Sequence, residues 1–261
     1  MLITSTKNET VRLLRSLKDR AARRETGLHL IEGERLVFDA LTSGAQAVHI
    51  LVEDGAEQLE TRLGAMGLGF IRVSRSVLEA VSDTKTPQGV AAAVKTPPLL
   101  PPESLPAGVI VALDRLQDPG NLGTIIRTAD AMGAGAILLG EGTTDPFSPK
   151  ALRSAMGSTY HIPIFEGKLE NELPRLKAEG RTLLCGHLAG SEALPELGAG
   201  CVVVIGNEGS GVSDAVASLC TLYRLPMFGR AESLNASVAA SIIIYEAARR
   251  IRSGKGNGNG E

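Results

Sequence analysis

Val109-Ile110-Val111-Ala112-Leu113 is followed, five residues on, by Asp118-Pro119-Gly120-Asn121-Leu122-Gly123-Thr124-Ile125-Ile126-Arg127-Thr128. The first stretch is apolar without alternation, the pattern of a strand buried on both faces of a parallel sheet. The second opens with turn residues and then takes helical spacing from Leu122 to Met132, with Asn121 placed to cap that helix. The same alternation recurs downstream. Ala136 to Leu139, Thr182 to Cys185 and Val202 to Ile205 are short apolar runs. Pro149 to Met156, Leu169 to Ala178 and Leu234 to Arg252 carry helical patterns. Strands alternating with helices predict an open, wound α/β sheet. Ligands of such sheets bind at the loops beyond the strand C-termini.

Composition narrows the function classes. The chain has 261 residues, 43% hydrophobic and 21% charged, so a packed core is expected. A formal net charge of -2 excludes a uniformly basic protein, although not a local basic patch. Thirty glycines without a linker-like period suggest tight loops that approach a ligand closely. The three cysteines form no CxxC pair, and the four histidines have no ligand spacing, so neither a disulfide framework nor a metal site is expected. The N-terminal residues are charged too early for a secretory segment, and no apolar run approaches a membrane span. The expectation is a soluble cytoplasmic protein.

Residues 95–107 read KTPPLLPPESLPA, with five prolines in thirteen residues. That density suits neither helix nor central strand. The division it implies is a first domain at 1–96, a Pro-rich linker at 97–107, a second domain at 108–252 and a disordered tail at 253–261. In the first domain, Ala47 to Val52, Gly69 to Val73 and Gly89 to Val94 are strand candidates, and Glu34 to Thr42 and Ser76 to Val81 are helix candidates. Asn8 to Glu25 reads as one helix, with Leu13, Leu14, Leu17 and Ala21 on one side and Arg12, Arg15, Arg20 and Arg23 on the other. That basic side is either a solvated face or a phosphate-binding one.

Two further loops are distinctive. Gly206-Asn207-Glu208-Gly209-Ser210-Gly211-Val212-Ser213 follows the buried run Val202 to Ile205. Its glycines suit close backbone approach to a ligand, but their order is neither G-x-G-x-x-G nor a P-loop. Leu225-Pro226-Met227-Phe228-Gly229-Arg230-Ala231-Glu232-Ser233-Leu234-Asn235-Ala236-Ser237 precedes the last helix. Ser233 or Asn235 can cap it, and three small polar residues at alternate positions exceed what one cap requires.

Taken together, N-x-G-x-x-x-R at 121–127, I-G-N-E-G-x-G at 205–211 and L-P-M-x-G…S-L-N-x-S at 225–237 resemble the SpoU (TrmH-type) branch of the SPOUT RNA methyltransferases, in order and at compatible spacing. The resemblance covers roughly residues 107–252. Leu30-Ile31-Glu32-Gly33-Glu34-Arg35-Leu36-Val37, with Gln88-Gly89-Val90, resembles the family's L30e-like substrate-binding domain. The fold this implies is an N-terminal L30e-like α/β domain joined to a SPOUT α/β domain with a parallel sheet and a deep trefoil knot. The implied reaction moves a methyl group from S-adenosylmethionine to a ribose 2′-hydroxyl of structured RNA, 23S-type rRNA above tRNA, without metal, in a homodimer joined through the catalytic domain. The implied reacting centre is Asn121, Arg127, Glu208, Ser233 and Asn235. Arg127 would stabilise developing negative charge or grip the adjacent phosphate, with a general-base role as the alternative. Glu208 would orient Arg127 or a partner residue. Gly186, Ile205, Gly206, Asn207, Gly209, Leu225, Met227 and Leu234 would contact the cofactor. Arg12, Arg15, Arg23, Arg35 and Arg153 would bind RNA. Two readings compete. One is a non-catalytic RNA-binding or ribosome-assembly factor of the same fold, disfavoured because Asn121, Arg127 and the loop glycines are present. The other is a Rossmann-type oxidoreductase, disfavoured because no G-x-G-x-x-G follows a strand.

Overall fold

The computed structural model describes residues 2–84, 86–198 and 200–256. They fall into two compact units. The first comprises the residues up to Pro98 together with Asp145–Tyr160, and the second comprises Leu99–Thr144 and the residues from His161 onward.

The first unit begins with β1 (Leu2–Ile3), α1 (Glu9–Ser16), α2 (Arg20–Thr26), β2 (Leu28–Glu32), α3 (Glu34–Thr42), β3 (Ala47–Glu53), α4 (Glu57–Ala65), β4 (Ile71–Val73), α5 (Arg75–Val81) and β5 (Val90–Lys95). Its sheet has the order β1-β4-β3-β5-β2. β1, β4 and β3 are parallel, while β5 runs antiparallel to β3 and β2. β5 reads Val-Ala-Ala-Ala-Val over 90–94, and all five side chains are buried. Ala91 and Ala93 join Val11, Leu14, Leu17, Val77 and Leu78 in one core, their small side chains leaving room for the helices.

The single helix expected from Asn8 to Glu25 is instead two. Asn8 caps α1, its side chain accepting the Thr10 and Val11 N–H groups. The chain then breaks at Leu17–Asp19. In a continuous helix the Leu17 and Lys18 carbonyls would bond to the next turn. Here they accept the Arg23 guanidinium at 2.9 and 2.8 Å. Arg23 also binds Asp145 Oδ2 through Nε and Nη2 at 3.0 and 2.7 Å, and is only 7% exposed. This removes Arg23 from the expected RNA-binding face: its charge and its donors are consumed inside the unit.

The chain continues with β6 (Gly108–Leu113), α6 (Pro119–Ala131), β7 (Ala136–Gly140), α7 (Pro149–Ala155), β8 (Ile164–Gly167), α8 (Leu169–Ala178), β9 (Thr182–Ser191), β10 (Gly200–Ile205), α9 (Asp214–Ala217), β11 (Thr221–Tyr223) and α10 (Ala236–Gly256). α7 lies in the segment that packs with the first unit. There Tyr160 OH lies 2.6 Å from His29 Nε2, and Thr96 Oγ1 lies 3.0 Å from His29 Nδ1. The Phe147 ring sits 5.0 Å from the imidazole. Burial, with Asp145 and Arg23 acting in opposite directions, pushes His29 down to about 3, so the ring is neutral.

The second unit's sheet is parallel throughout, in the order β11-β9-β10-β6-β7-β8. β6 and β10 are neighbours, and every residue of β10 is buried, as the unalternated Val202 to Ile205 run predicts. The Pro-rich stretch lies against this unit from Leu99 onward. Leu100 bridges Phe165, and the Arg181 guanidinium donates to the Leu105, Pro106 and Gly108 carbonyls. α10 packs along α6, where Thr128 Oγ1 and Ser241 Oγ are 2.9 Å apart. α10 extends through Gly256, so the helix enters the stretch read as a tail from Ser253; residues 257–261 of that reading lie outside the described residues. Among the described residues no helix is long and apolar enough to cross a membrane.

Candidate functional site

Three loops leave the C-terminal ends of β6, β10 and β11. In the first, Asp118 caps α6, its carboxylate accepting the Asn121 N–H at 2.9 Å. Pro119 occupies the first turn, where its missing N–H costs nothing. Asn121 is therefore inside the helix and not its cap. Its side chain is free to bond elsewhere, and it is buried at 9% exposure.

That side chain joins the loops. Asn121 Nδ2 donates to Glu208 Oε1 at 2.9 Å, and Asn121 Oδ1 accepts Asn235 Nδ2 at 3.1 Å. Glu208 Oε1 also accepts the Asp118 N–H at 3.0 Å, and Oε2 accepts the Gln117 N–H at 3.1 Å. Partial burial works against the charged form of Glu208. The bonds from Asn121, Asp118 and Gln117 outweigh it, and the carboxyl titrates below its ordinary range. Asn235 Oδ1 accepts the Ser237 N–H, the Ser237 hydroxyl and the Val238 N–H at 2.9, 2.6 and 3.3 Å. Asn235, not Ser233, thus caps α10, and Leu234 precedes the helix instead of opening it.

The second loop is closed by its own asparagine. Asn207 Oδ1 accepts the Gly209 and Ser210 N–H groups at 2.9 and 3.0 Å, and Asn207 Nδ2 donates to the Arg115 carbonyl at 3.0 Å. A methyl group on Gly206 would run into the backbone of Gly211 and Val212, and one on Gly186 would lie 2.9 Å from Ile243 Cδ1. Position 206 therefore requires glycine, while at Gly186 the Ile243 side chain could shift to make room.

The second and third loops, with β9 and the start of α10, line a cavity of about 200 Å³; Asn121, Arg127 and Asn235 are not among the residues that line it. Gly186, Ile205, Gly206, Asn207, Leu225, Met227 and Leu234 line it, as do Glu208 and Ser233. Gly209 does not; it serves the turn. Arg127 is exposed on α6 and has no hydrogen bond or ion pair among the described residues. Glu208 engages Asn121 and two backbone N–H groups, so within this chain it does not orient Arg127. His187, Tyr223 and Ile243 also line the cavity and were missed by the motifs. Tyr223 donates to Glu246 at 2.7 Å. Burial, aided by that carboxylate, pushes its hydroxyl up to about 12. The position of Tyr223, two residues before Leu225 at the end of an apolar run, is the only sequence signal for it.

In the first unit, Arg12 and Arg15 are exposed on α1, and Arg35 is 69% exposed on α3, 3.8 Å from Asp39. Arg153 is ion-paired to Glu32 at 3.0 Å and Asp83 at 2.6 Å.

The SpoU rRNA Methylase family model matches residues 108–245, and an MRM3-like substrate binding domain model matches residues 8–92. The 23S rRNA (guanosine(2553)-2'-O)-methyltransferase RlmP of Bacillus subtilis (strain 168) is 40% identical over 250 residues, spanning 93% of this chain and 97% of that one. Among solved structures, the AdoMet-bound rRNA methyltransferase of Sinorhizobium meliloti superposes with a TM-score of 0.85 at 35% identity, covering 96% of this chain and 98% of that one. The SpoU methyltransferase AviRb of Streptomyces viridochromogenes, in complex with AdoMet, gives 0.83 at 27% identity, covering 95% and 99%. With the second and third motif loops lining one cavity, the first bonded to both, and matches spanning nearly its full length, the chain belongs to the SpoU rRNA methylase family.

Proposed function

We propose that this protein transfers the methyl group of S-adenosylmethionine to a ribose 2′-hydroxyl of ribosomal RNA of the 23S type, in the cytoplasm. The observation that carries the reading is the Glu208–Asn121–Asn235 chain, which ties the first loop to the second and third, the two that line the cavity. The cavity fits the cofactor. Leu225, Met227, Leu234 and Ile205 offer apolar contact to a flat base, and the bare backbone at Gly186 and Gly206 allows close approach. Bound there, the cofactor supplies a sulfonium methyl that is already electrophilic. The protein's task is alignment, which contributes several kcal/mol and up to about 7–11 in the best cases.

Each residue has a part in that alignment. Asn121 and Asn235 are held by their own hydrogen bonds and present a rigid polar edge beside Ser233. Glu208 secures the first loop by accepting two successive backbone N–H groups. Arg127, with no partner among the described residues, offers its guanidinium to the 2′-oxygen as negative charge develops there, or to the adjoining phosphate.

The first unit serves as an L30e-like RNA-binding domain, gripping structured RNA through Arg12, Arg15 and Arg35. A cleft lined by Gly33, Arg35, Thr84, Thr86 and Gln88 supports this use. Arg153 adds less, because Glu32 and Asp83 offset its charge. The catalytic unit forms a homodimer. Val238, Ile242 and Tyr245 on α10 are 45%, 38% and 53% exposed at helical spacing, an apolar stripe that a second copy would cover. A trefoil knot in this unit belongs to the same reading, supported by the return of the third loop to the first through the Asn235–Asn121 hydrogen bond.

The test uses methyl-labelled S-adenosylmethionine with unmodified rRNA and tRNA transcripts, followed by digestion to nucleosides. Label is expected in a 2′-O-methyl nucleoside of rRNA and is expected to vanish with Arg127→Ala. Label on a base would overturn the ribose assignment. Label in tRNA alone would overturn the choice of RNA.

A further inference from the structure

Arg115 lies between β6 and the first loop with φ +57°, in the left-handed region. Non-glycine residues are uncommon there, with asparagine, aspartate and histidine the most enriched. Glycine would hold this backbone more cheaply, so the long cationic side chain needs its own explanation.

The backbone itself is pinned from two sides. The Arg115 carbonyl accepts Asn207 Nδ2 at 3.0 Å and Gln117 Nε2 at 3.2 Å. Asn207 adjoins Glu208, and the Gln117 N–H is one of the donors to Glu208. The left-handed turn is therefore part of the frame that holds the reacting centre. It also directs the side chain over Gly142, where an added methyl group would lie 3.4 Å from Arg115 Cγ. Gln117 Nε2 donates to the Gly142 carbonyl at 2.5 Å, which fastens the surface on which the arginine stem rests.

The guanidinium is tethered at one edge only. Its Nε donates to Asp114 Oδ1 at 3.2 Å. Asp114 is 5% exposed, and its other oxygen accepts the Ser213 N–H at 2.6 Å. Both terminal nitrogens of Arg115 have no partner among the described residues, and the side chain is 43% exposed. A planar fork held at Nε, with both NH₂ groups turned outward, matches the bidentate geometry of a phosphate.

We propose that Arg115 is a phosphate-gripping residue for the RNA substrate, set beside the reacting centre and distinct from Arg127. This rests on the methyltransferase reading above. It adds a substrate contact that the three motifs do not contain.

The test compares Arg115→Gly, whose backbone suits the positive φ, with Arg115→Lys, which keeps charge and loses the fork. Both are assayed for RNA methylation over a salt series, with cofactor affinity measured by calorimetry. The KM for RNA is expected to rise about tenfold in Arg115→Gly, with the log–log salt slope smaller by about one. Arg115→Lys should fall between, and cofactor affinity should stay at the wild-type value in both. An unchanged KM and salt slope in Arg115→Gly would overturn the proposal. So would a loss of cofactor affinity matching the change in KM, since that marks a purely structural role. If wild-type protein labels no 2′-O-methyl nucleoside, it is the underlying function that fails, and nitrocellulose binding of the RNA over the same salt series still reads the Arg115 contact.

Discussion

Replacing Glu208 by glutamine and by alanine separates a positioning role from a need for charge. Two of its three donors, the Asp118 N–H and Asn121 Nδ2, converge on Oε1, and the Gln117 N–H alone reaches Oε2. A glutamine can place its oxygen where Oε1 lies and keep both of the first two bonds. Its NH₂ then faces the Gln117 N–H, donor against donor, and one bond is lost. At about 1 kcal/mol per bond, kcat/KM should fall about fivefold. Alanine loses all three, about 3 kcal/mol, so the fall should be on the order of a hundredfold. The assay is kcat/KM for RNA at saturating cofactor. Equal damage from both variants would refute the account, because it would mean that the negative charge matters and the acceptor geometry does not. A loss below about threefold in Glu208→Ala would also refute it. The pH dependence follows from the lowered titration of Glu208. The ordering it provides is present above the ordinary carboxylate range and is lost only as pH falls through the lower folded value. Wild-type activity should therefore hold through the ordinary carboxylate range before declining, and Glu208→Gln should lack that final decline.

Gly206→Ala forces a methyl group into the backbone of Gly211 and Val212, so cofactor affinity by calorimetry should drop more than about tenfold; wild-type affinity would show that the loop relaxes without cost. His29 is held neutral by burial, at about 3, while an unfolded histidine titrates near 6.5. The stability it contributes is present above about 6.5 and is lost as pH falls from there towards 3, at up to about 1.4 kcal/mol per pH unit. In urea unfolding at pH 7, 6 and 5, His29→Gln should show a shallower loss than wild type, and parallel losses would sink the linkage.

Much of the catalytic unit was legible because its signals are local. An unalternated run such as Val202 to Ile205 has few fates other than a strand buried on both faces, and β10 meets that expectation. The glycine at 206 carries meaning for the same reason: it stands where the backbone of Gly211 and Val212 leaves a side chain no room. Short polar residues are harder to read. Asn121 and Asn235 both look like caps, and only one of them is. The choice turned on Asp118 and Pro119, which cap α6 already and release Asn121 to reach Glu208. β8 and β11 were not read at all, because edge strands of four and three residues carry too little periodicity.

Charge was the least legible property, since a side chain's partner can lie anywhere along the chain. Arg23 meets Asp145 and Arg153 meets Glu32, each more than a hundred residues away. The eight basic groups in the first 35 residues therefore overstate the surface offered to RNA. Arg23 is buried and its charge is consumed, and Arg153 is offset by two carboxylates. What remains exposed among the expected contacts is Arg12 and Arg15 on α1 and Arg35 on α3. Each phosphate contact lowers the slope of log affinity against log salt by about 0.7–0.9. Three such residues in the first unit, with Arg127 and Arg115 in the second, make about five contacts and a slope near -4. A slope near -1.5, about the value for the two arginines of the second unit alone, would mean that the substrate-binding role of the first unit must be sought in shape and not in charge.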